Sequence, residues 1–110
     1  MNYYEFNVED KVYKLRLTTR NIVSLEKTIG KNPLGIFNDG DGIPTITEMV
    51  SVLFYSLQTF QHGIGMNEAY DIFDKYVETN SATDFISIIL EIYKASGIIR
   101  ETKGNENEKN

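Results

Sequence analysis

The chain has 110 residues, of which 41% are hydrophobic, and its formal net charge is −5. This length is typical of one domain with a core large enough to be stable without disulfides. The chain has no cysteine, which excludes disulfides and thiolate metal ligands, and it lacks the ~18-residue apolar run that a membrane span needs. Since no basic-then-apolar leader is evident at the start, we expect a cytoplasmic protein without a membrane partner.

The charge is distributed unevenly along the chain. Residues 1–31 hold six basic and four acidic side chains, whereas residues 32–110 hold five basic and twelve acidic ones. An acidic body argues against nucleic acid as a partner, because neutralisation of phosphates dominates that kind of binding. The asymmetry would also suit head-to-tail self-association into a homo-oligomer, although a solvated surface is the simpler explanation.

Residues 3–17 predict a β-hairpin, because apolar and polar side chains alternate on both sides of Glu9-Asp10. A two-residue turn at Glu9-Asp10 pairs Phe6 with Tyr13 and Tyr4 with Leu15, which gives an aromatic-rich cross-strand face. The turn lacks the Asn-Gly or Asp-Gly sequence of a tight hairpin, so a longer loop through Lys11 is the alternative. Since an isolated hairpin is marginal in water, its apolar face must pack on helices.

Helices are predicted at about residues 20–29, 33–37, 46–60, 68–78 and 82–96. Their start signals are Thr18 or Thr19, a Thr45–Glu48 capping box, Asn67, and the segment 81–84. The predicted fold class is therefore α+β and mostly helical, with an N-terminal β-hairpin packed on a small bundle of about four helices. We expect residues 1–100 to form a single globular domain, and the wholly polar residues 101–110 to form a disordered tail.

The central predicted helix, 46–60, has an apolar stripe that includes Ile46 and Leu53, and it is the element on which the domain is expected to pack. Tyr55 lies on the opposite side of this helix among polar residues. The last helix is apolar over more than half its circumference, so it is either sandwiched in the core or shared between the core and a partner. Ile98 and Ile99, beyond Gly97, either fold back in a Schellman-type contact or form an exposed apolar edge.

Two segments carry a resemblance to a known family. Residues 13–27 contain a KLRLTTR stretch followed by LEK, and residues 30–34 read GKNPL. This combination resembles the small tail assembly chaperones of siphophages and prophages of Gram-positive bacteria, and the similarity extends to about residue 99. The resemblance implies a non-enzymatic protein that binds the tape-measure protein of the phage, keeps it soluble during tail assembly, and works near the tail tube protein.

Helical-wheel geometry supplies five candidate partner-binding residues, which are Tyr55, Leu90, Tyr93, Ile98 and Ile99. Tyr55 is chosen for its polar surroundings, and the others for the wide apolar arc of the C-terminal helix. Exposed side chains of this kind would shield apolar helical segments of a long partner and lower its free, aggregating population by mass action.

No catalytic, cofactor or metal site is predicted. His62 is the single histidine, and no elbow-type motif marks a serine that it would activate. Asp39 and Asp41 resemble the start of a calcium loop, but Ile43 and Val50 occupy later ligand positions, so a plain loop is expected. The acidic residues Asp71, Asp74 and Glu78 share one helix face, which suits a solvated surface better than a metal site or a basic partner.

The alternative function is a structural tail or head–tail component that self-assembles into a ring through the basic N-terminal part and the acidic remainder. Salt distinguishes the two hypotheses, because screening dissolves a charge-driven ring and spares an apolar contact. A third hypothesis is a small regulatory adaptor with a host target, which no sequence feature supports beyond the lack of a recognisable active site.

Overall fold

The computed structural model describes residues 2–100. In this part of the chain, a two-stranded antiparallel hairpin precedes four α-helices, and the predicted α+β class is confirmed. The elements are β1 (Tyr4–Val8), β2 (Lys11–Leu15), α1 (Thr19–Ile29), α2 (Ile46–Leu57), α3 (Met66–Tyr76) and α4 (Phe85–Ser96). Short 3₁₀ helices at Pro33–Phe37 and Ala82–Asp84 precede α2 and α4. The predicted tail, 101–110, lies outside the described residues.

The hairpin has the predicted two-residue turn, so the longer loop through Lys11 is not formed. Phe6 pairs with Tyr13 and Tyr4 pairs with Leu15, as the alternation indicates. The inward face of the hairpin buries three apolar side chains, which are Phe6, Val8 and Leu15. Glu9 takes the turn position with φ +56°, a left-handed conformation that glycine adopts without steric cost.

This turn yields a stability prediction. We expect Glu9→Gly to be more stable than Glu9→Ala by about 1 kcal/mol, because only glycine relieves the left-handed strain. Both variants lose the exposed ion pair between Glu9 and Lys75, whose nitrogen and oxygen atoms are 3.6 Å apart, so the comparison cancels that contribution. Urea denaturation of the two variants measures the difference, and equal stabilities would show that the turn is unstrained.

The helix α2 lies at the centre of the domain, where it packs against α1, α3, α4 and β2. It begins with the predicted capping box, since Thr45 Oγ1 accepts the Glu48 N–H at 3.0 Å and Glu48 Oε1 accepts the Thr45 N–H at 2.8 Å. Apolar residues along almost its whole length are buried, including Met49, Val50, Val52, Leu53 and Leu57. The three other α-helices and β2 therefore pack on α2 as predicted, whereas β1 packs mainly on α3 and α4.

Three predicted details of α2 and α3 are wrong. Ile46 is 48% exposed rather than part of the buried stripe. The helix ends at Leu57 rather than at residue 60, since the side chains of Thr59 and Gln61 bind the backbone of the segment around β2. α3 begins at Met66 after Gly65 rather than after Asn67, because Glu68 Oε1 accepts the Gly65 N–H at 2.9 Å.

The last helix, α4, packs against both α2 and β1 and completes the core. Ser81 and Asp84 cap the 3₁₀ turn that precedes it, in the segment where a cap is predicted. Phe85 then contacts a cluster of aromatic rings that joins β1, α3 and α4. The four rings of this cluster are those of Phe6, Phe73, Tyr76 and Phe85. These aromatic contacts hold β1 on α3 and α4, while the Arg16 N–H, just after β2, donates to the Ser56 carbonyl of α2.

Candidate functional site

Tyr93 does not belong to an exposed surface, contrary to its selection as a partner-binding residue. Its side chain is fully buried, and its hydroxyl donates a 2.8 Å hydrogen bond to the carbonyl oxygen of Pro33. Burial raises the pKa of the Tyr93 hydroxyl well above its usual value, and the negative charge of Glu48 adds to the increase. Tyr93 therefore fastens α4 to the 3₁₀ helix at Pro33–Phe37.

Tyr55 is half-buried and makes an intramolecular contact. Its hydroxyl shares a 2.7 Å hydrogen bond with the Thr28 hydroxyl of α1, and its ring meets Phe54 edge-on at 4.8 Å. The polar side of α2 faces α1 rather than solvent, since Glu48 and Ser51 are buried there as well. A binding role for Tyr55 would therefore require a partner to compete with Thr28.

Leu90, Ile98 and Ile99 are half-buried and form the remaining part of the predicted surface. Gly97 adopts φ +81°, and the Ile98 N–H donates to the Tyr93 carbonyl at 2.9 Å. Together with the bond from the Gly97 N–H to Lys94, this is the Schellman arrangement. It turns Ile98 and Ile99 back against the core. Along α4, Ile86 and Leu90 lie on one partly exposed flank of the buried face, and Ile88 lies on the other flank. We name these five residues the α4 surface.

The segments that carry the family resemblance hold the fold together. In the KLRLTTR stretch, Arg16 Nη1 donates to the carbonyl oxygens of Asn2 and Ala95, the Leu17 N–H donates to Ser96, and Thr18 caps α1. In GKNPL, Gly30 ends α1 at φ +75° and the Asn32 side chain caps the 3₁₀ helix. The polar residues of both segments are therefore engaged in contacts that stabilise the fold, and they do not form an exposed binding surface.

Lys31 joins two acidic groups at the base of α2. Its ammonium group lies 2.9 Å from the Glu48 carboxylate and also contacts Asp39. Burial raises the pKa of Glu48, but the hydrogen bonds from Lys31 and Thr45 outweigh burial and hold that pKa below its usual value. This ion-pair network fixes the loop before α2, which makes it structural rather than a free binding group.

A groove of about 460 Å³ lies between the hairpin turn and α3, and the sequence gives no direct signal for it. The floor of the groove is lined by the apolar side chains of Val8, Tyr13, Ile64 and Ile72. Its rim is lined by the charged side chains of Glu9, Asp10, Lys11, Glu68, Asp71 and Lys75. Four acidic and two basic side chains give the rim a net charge of −2. Of the acidic helix face noted in the sequence, Asp71 lines the groove. In the described part of the chain, no group of three or more metal-ligating side chains could hold a metal ion.

The edge of β2 beside this groove is partly covered by a side chain. Gln61 Oε1 accepts the Lys14 N–H at 2.7 Å, and Gln61 Nε2 donates to the Lys14 carbonyl at 2.9 Å. The side-chain amide thus makes the two hydrogen bonds that a neighbouring strand would make. At Val12, two residues away, the backbone has no such partner among residues 2–100, and the side chain is 58% exposed.

No helix within residues 2–100 is long and apolar enough to cross a membrane. One family model, described as "Family of unknown function (DUF6096)", matches residues 5–110. Because the match spans nearly the whole chain, the chain belongs to this family. The curated proteins and the solved structures gave no match.

Proposed function

We propose that this member of DUF6096 is a non-enzymatic tail assembly chaperone of a phage or prophage, which binds the tape-measure protein in the cytoplasm of the host cell. The proposal originates in the resemblance of residues 13–34 to that family. The observation that supports it in the molecule is the α4 surface. Four side chains of α4 are buried in the core, Phe85, Ile89, Ile92 and Tyr93, whereas the large aliphatic side chains of Ile86, Ile88 and Leu90 are half-exposed.

A chaperone of this kind acts by binding reversibly to exposed apolar segments of its partner. Apolar segments of a long helical partner aggregate when free, and a protein that binds them lowers the free concentration by mass action. The half-exposed Ile86 and Leu90 are four residues apart, so they lie on one side of α4 and present a continuous apolar strip. Such a strip suits the apolar side of a partner helix.

The proposal predicts that Leu90→Asp weakens tape-measure binding about tenfold or more, because a carboxylate would then be desolvated in an apolar contact. Val23→Asp is the matched control, since Val23 is an apolar residue that is 44% exposed and belongs to a different helix, α1. Co-expression with the tape-measure protein, followed by affinity purification and quantitation of the complex, measures the effect. Thermal melts of both variants show that each is folded.

Equal recovery of the complex with wild type and Leu90→Asp would contradict the assignment of the α4 surface. Failure of wild type itself to bind or solubilise the tape-measure protein would contradict the chaperone function. A discrete oligomer of the chain that dissociates with added salt would favour the ring-forming tail component instead, since residues 1–31 carry +2 and the remainder −7.

A further inference from the structure

We propose that the groove between the hairpin turn and α3 binds an extended, basic segment of a protein partner, which adds to the edge of β2 at Val12. In this arrangement an apolar side chain of the segment enters the groove and flanking lysine or arginine side chains meet the acidic rim. The inference goes beyond the proposed function and does not depend on it, because it concerns a different surface and rests on other contacts.

The first argument is the hydrogen-bonding direction of β2. The N–H and C=O of Lys14 point away from β1, since both bind Gln61. Backbone groups two residues apart in a strand point to the same side, so those of Val12 point to this edge as well. Val12 lies opposite Asn7, and its outward N–H and C=O have no partner among the described residues. The outward backbone groups of Lys14 are therefore already bound by the Gln61 side chain, whereas those of Val12 are available to another strand.

The second argument is the location of the groove relative to that edge. A segment paired with Val12 places its adjacent side chains on the face of Lys11 and Tyr13, because neighbouring side chains alternate between faces. Lys11 and Tyr13 line the groove, together with Ile64 and Ile72. An added strand therefore directs a side chain over the apolar floor without a change in the hairpin.

The third argument is charge, which identifies the occupant. Lys75 is engaged with Glu9 at 3.6 Å, while Asp10 and Asp71 make no ion pair among residues 2–100. The net charge of −2 at the rim favours cationic side chains on both sides of the apolar one. Residues that flank the apolar side chain by two positions share its face of the strand, so they reach the rim.

The test uses the full chain and a labelled pentapeptide probe, lysine-threonine-phenylalanine-threonine-lysine with blocked ends, in a fluorescence-anisotropy titration. The expected result is saturable binding, weakened about tenfold when glutamate replaces both lysines. N-methylation of both threonines should weaken binding by a similar factor, because it removes the N–H of the threonine that pairs with Val12, whichever of the two occupies that position. N-methylation of the phenylalanine, whose N–H faces away from β2, is the matched control.

Protein variants test the same contacts from the other side. Val12→Pro removes the outward N–H without breaking a hairpin hydrogen bond and should weaken binding about tenfold, whereas Val12→Thr should not. The pair Asp10→Asn and Asp71→Asn should together weaken it about threefold to tenfold. Asp74→Asn, on the same helix but outside the groove, should leave binding unchanged. If Val12→Pro does not fold, the N-methylated peptides answer the same question.

Four results would overturn the inference. They are an absence of binding by wild type at millimolar peptide, equal affinity for the glutamate peptide, equal affinity after N-methylation of the threonines, and a wild-type dimer that Val12→Pro converts to a monomer. The last result would assign the open edge to a second copy of the chain rather than to a basic partner.

Discussion

Replacement of Phe85 by alanine is expected to lower the free energy of unfolding by about 3–5 kcal/mol. Phe85 is fully buried, and its ring centroid lies 5.7 Å from that of Phe6, 5.3 Å from Phe73 and 5.6 Å from Tyr76. Truncation removes the central ring of the cluster and leaves a cavity that three elements line. For a domain with a total stability of about 5–15 kcal/mol, this loss is a large fraction.

Urea denaturation monitored by circular dichroism measures the Phe85→Ala effect. Phe85→Leu is the control, because leucine keeps most of the buried volume and should cost less than half as much. Leucine also loses the edge-on ring contacts of Phe85, so Phe85→Leu should still have a measurable cost. A loss below about 1.5 kcal/mol for Phe85→Ala would show that the hairpin does not depend on this cluster.

Tyr93 is expected to make the domain sensitive to alkaline pH. Burial raises the pKa of its hydroxyl in the folded chain, while the unfolded chain has the usual value of about 10. The folded state therefore keeps its proton where the unfolded state loses it, so stability is complete below pH 10 and falls as the pH rises above 10. Burial raises the pKa values of Tyr4 and Tyr76 as well, which steepens the same decline.

Tyr93→Phe separates the two roles of the hydroxyl. At neutral pH the variant should lose about 1–2 kcal/mol, because the buried Pro33 carbonyl loses its donor. Above pH 10 its stability should fall less steeply than that of wild type, so the two curves converge. Tyr70→Phe is the control for loss of a tyrosine hydroxyl outside the core, since Tyr70 is 42% exposed, and it should leave the stability at neutral pH nearly unchanged. Urea midpoints from pH 7 to pH 11.5 provide the measurement, and parallel curves for Tyr93→Phe and wild type would contradict the explanation.

The two proposed binding surfaces suit different segments of partner proteins. The α4 surface presents aliphatic side chains at helical spacing, which suits an apolar helix. The groove beside β2 presents free backbone groups and an acidic rim, which suits an extended basic segment. Variants at Leu90 and Val12 therefore test the two surfaces separately, and the loss of one interaction should leave the other intact.

The resemblance to tail assembly chaperones and the membership of DUF6096 bear on different questions. The resembling segments lie at residues 13–34, where the Arg16 and Thr18 side chains bind backbone groups of α4 and α1, and the Leu17 N–H donates to the Ser96 side chain. These contacts stabilise the fold and do not identify a partner. The function therefore depends on the binding experiments.

Local sequence determined the elements and most of their ends. Strict alternation around Glu9-Asp10 specified the hairpin and its pairing, because a shift by one residue would turn every apolar side chain to solvent. The Thr45–Glu48 capping box and the glycines at 30 and 97 specified helix ends, since each satisfies backbone groups within a few residues. These are short-range contacts, made by residues that lie within a few positions of one another in the sequence.

The tertiary structure alone decided which faces meet a neighbour. Tyr55 and Tyr93 lie where the helical wheel places them, but their partners, Thr28 and Pro33, are 27 and 60 residues away. The groove likewise joins residues 8–13 to residues 64–75. A wheel fixes the direction of a side chain from its own helix axis and carries no information about what packs there. The exposure of a residue, and with it every candidate binding surface, is therefore a property of the folded chain.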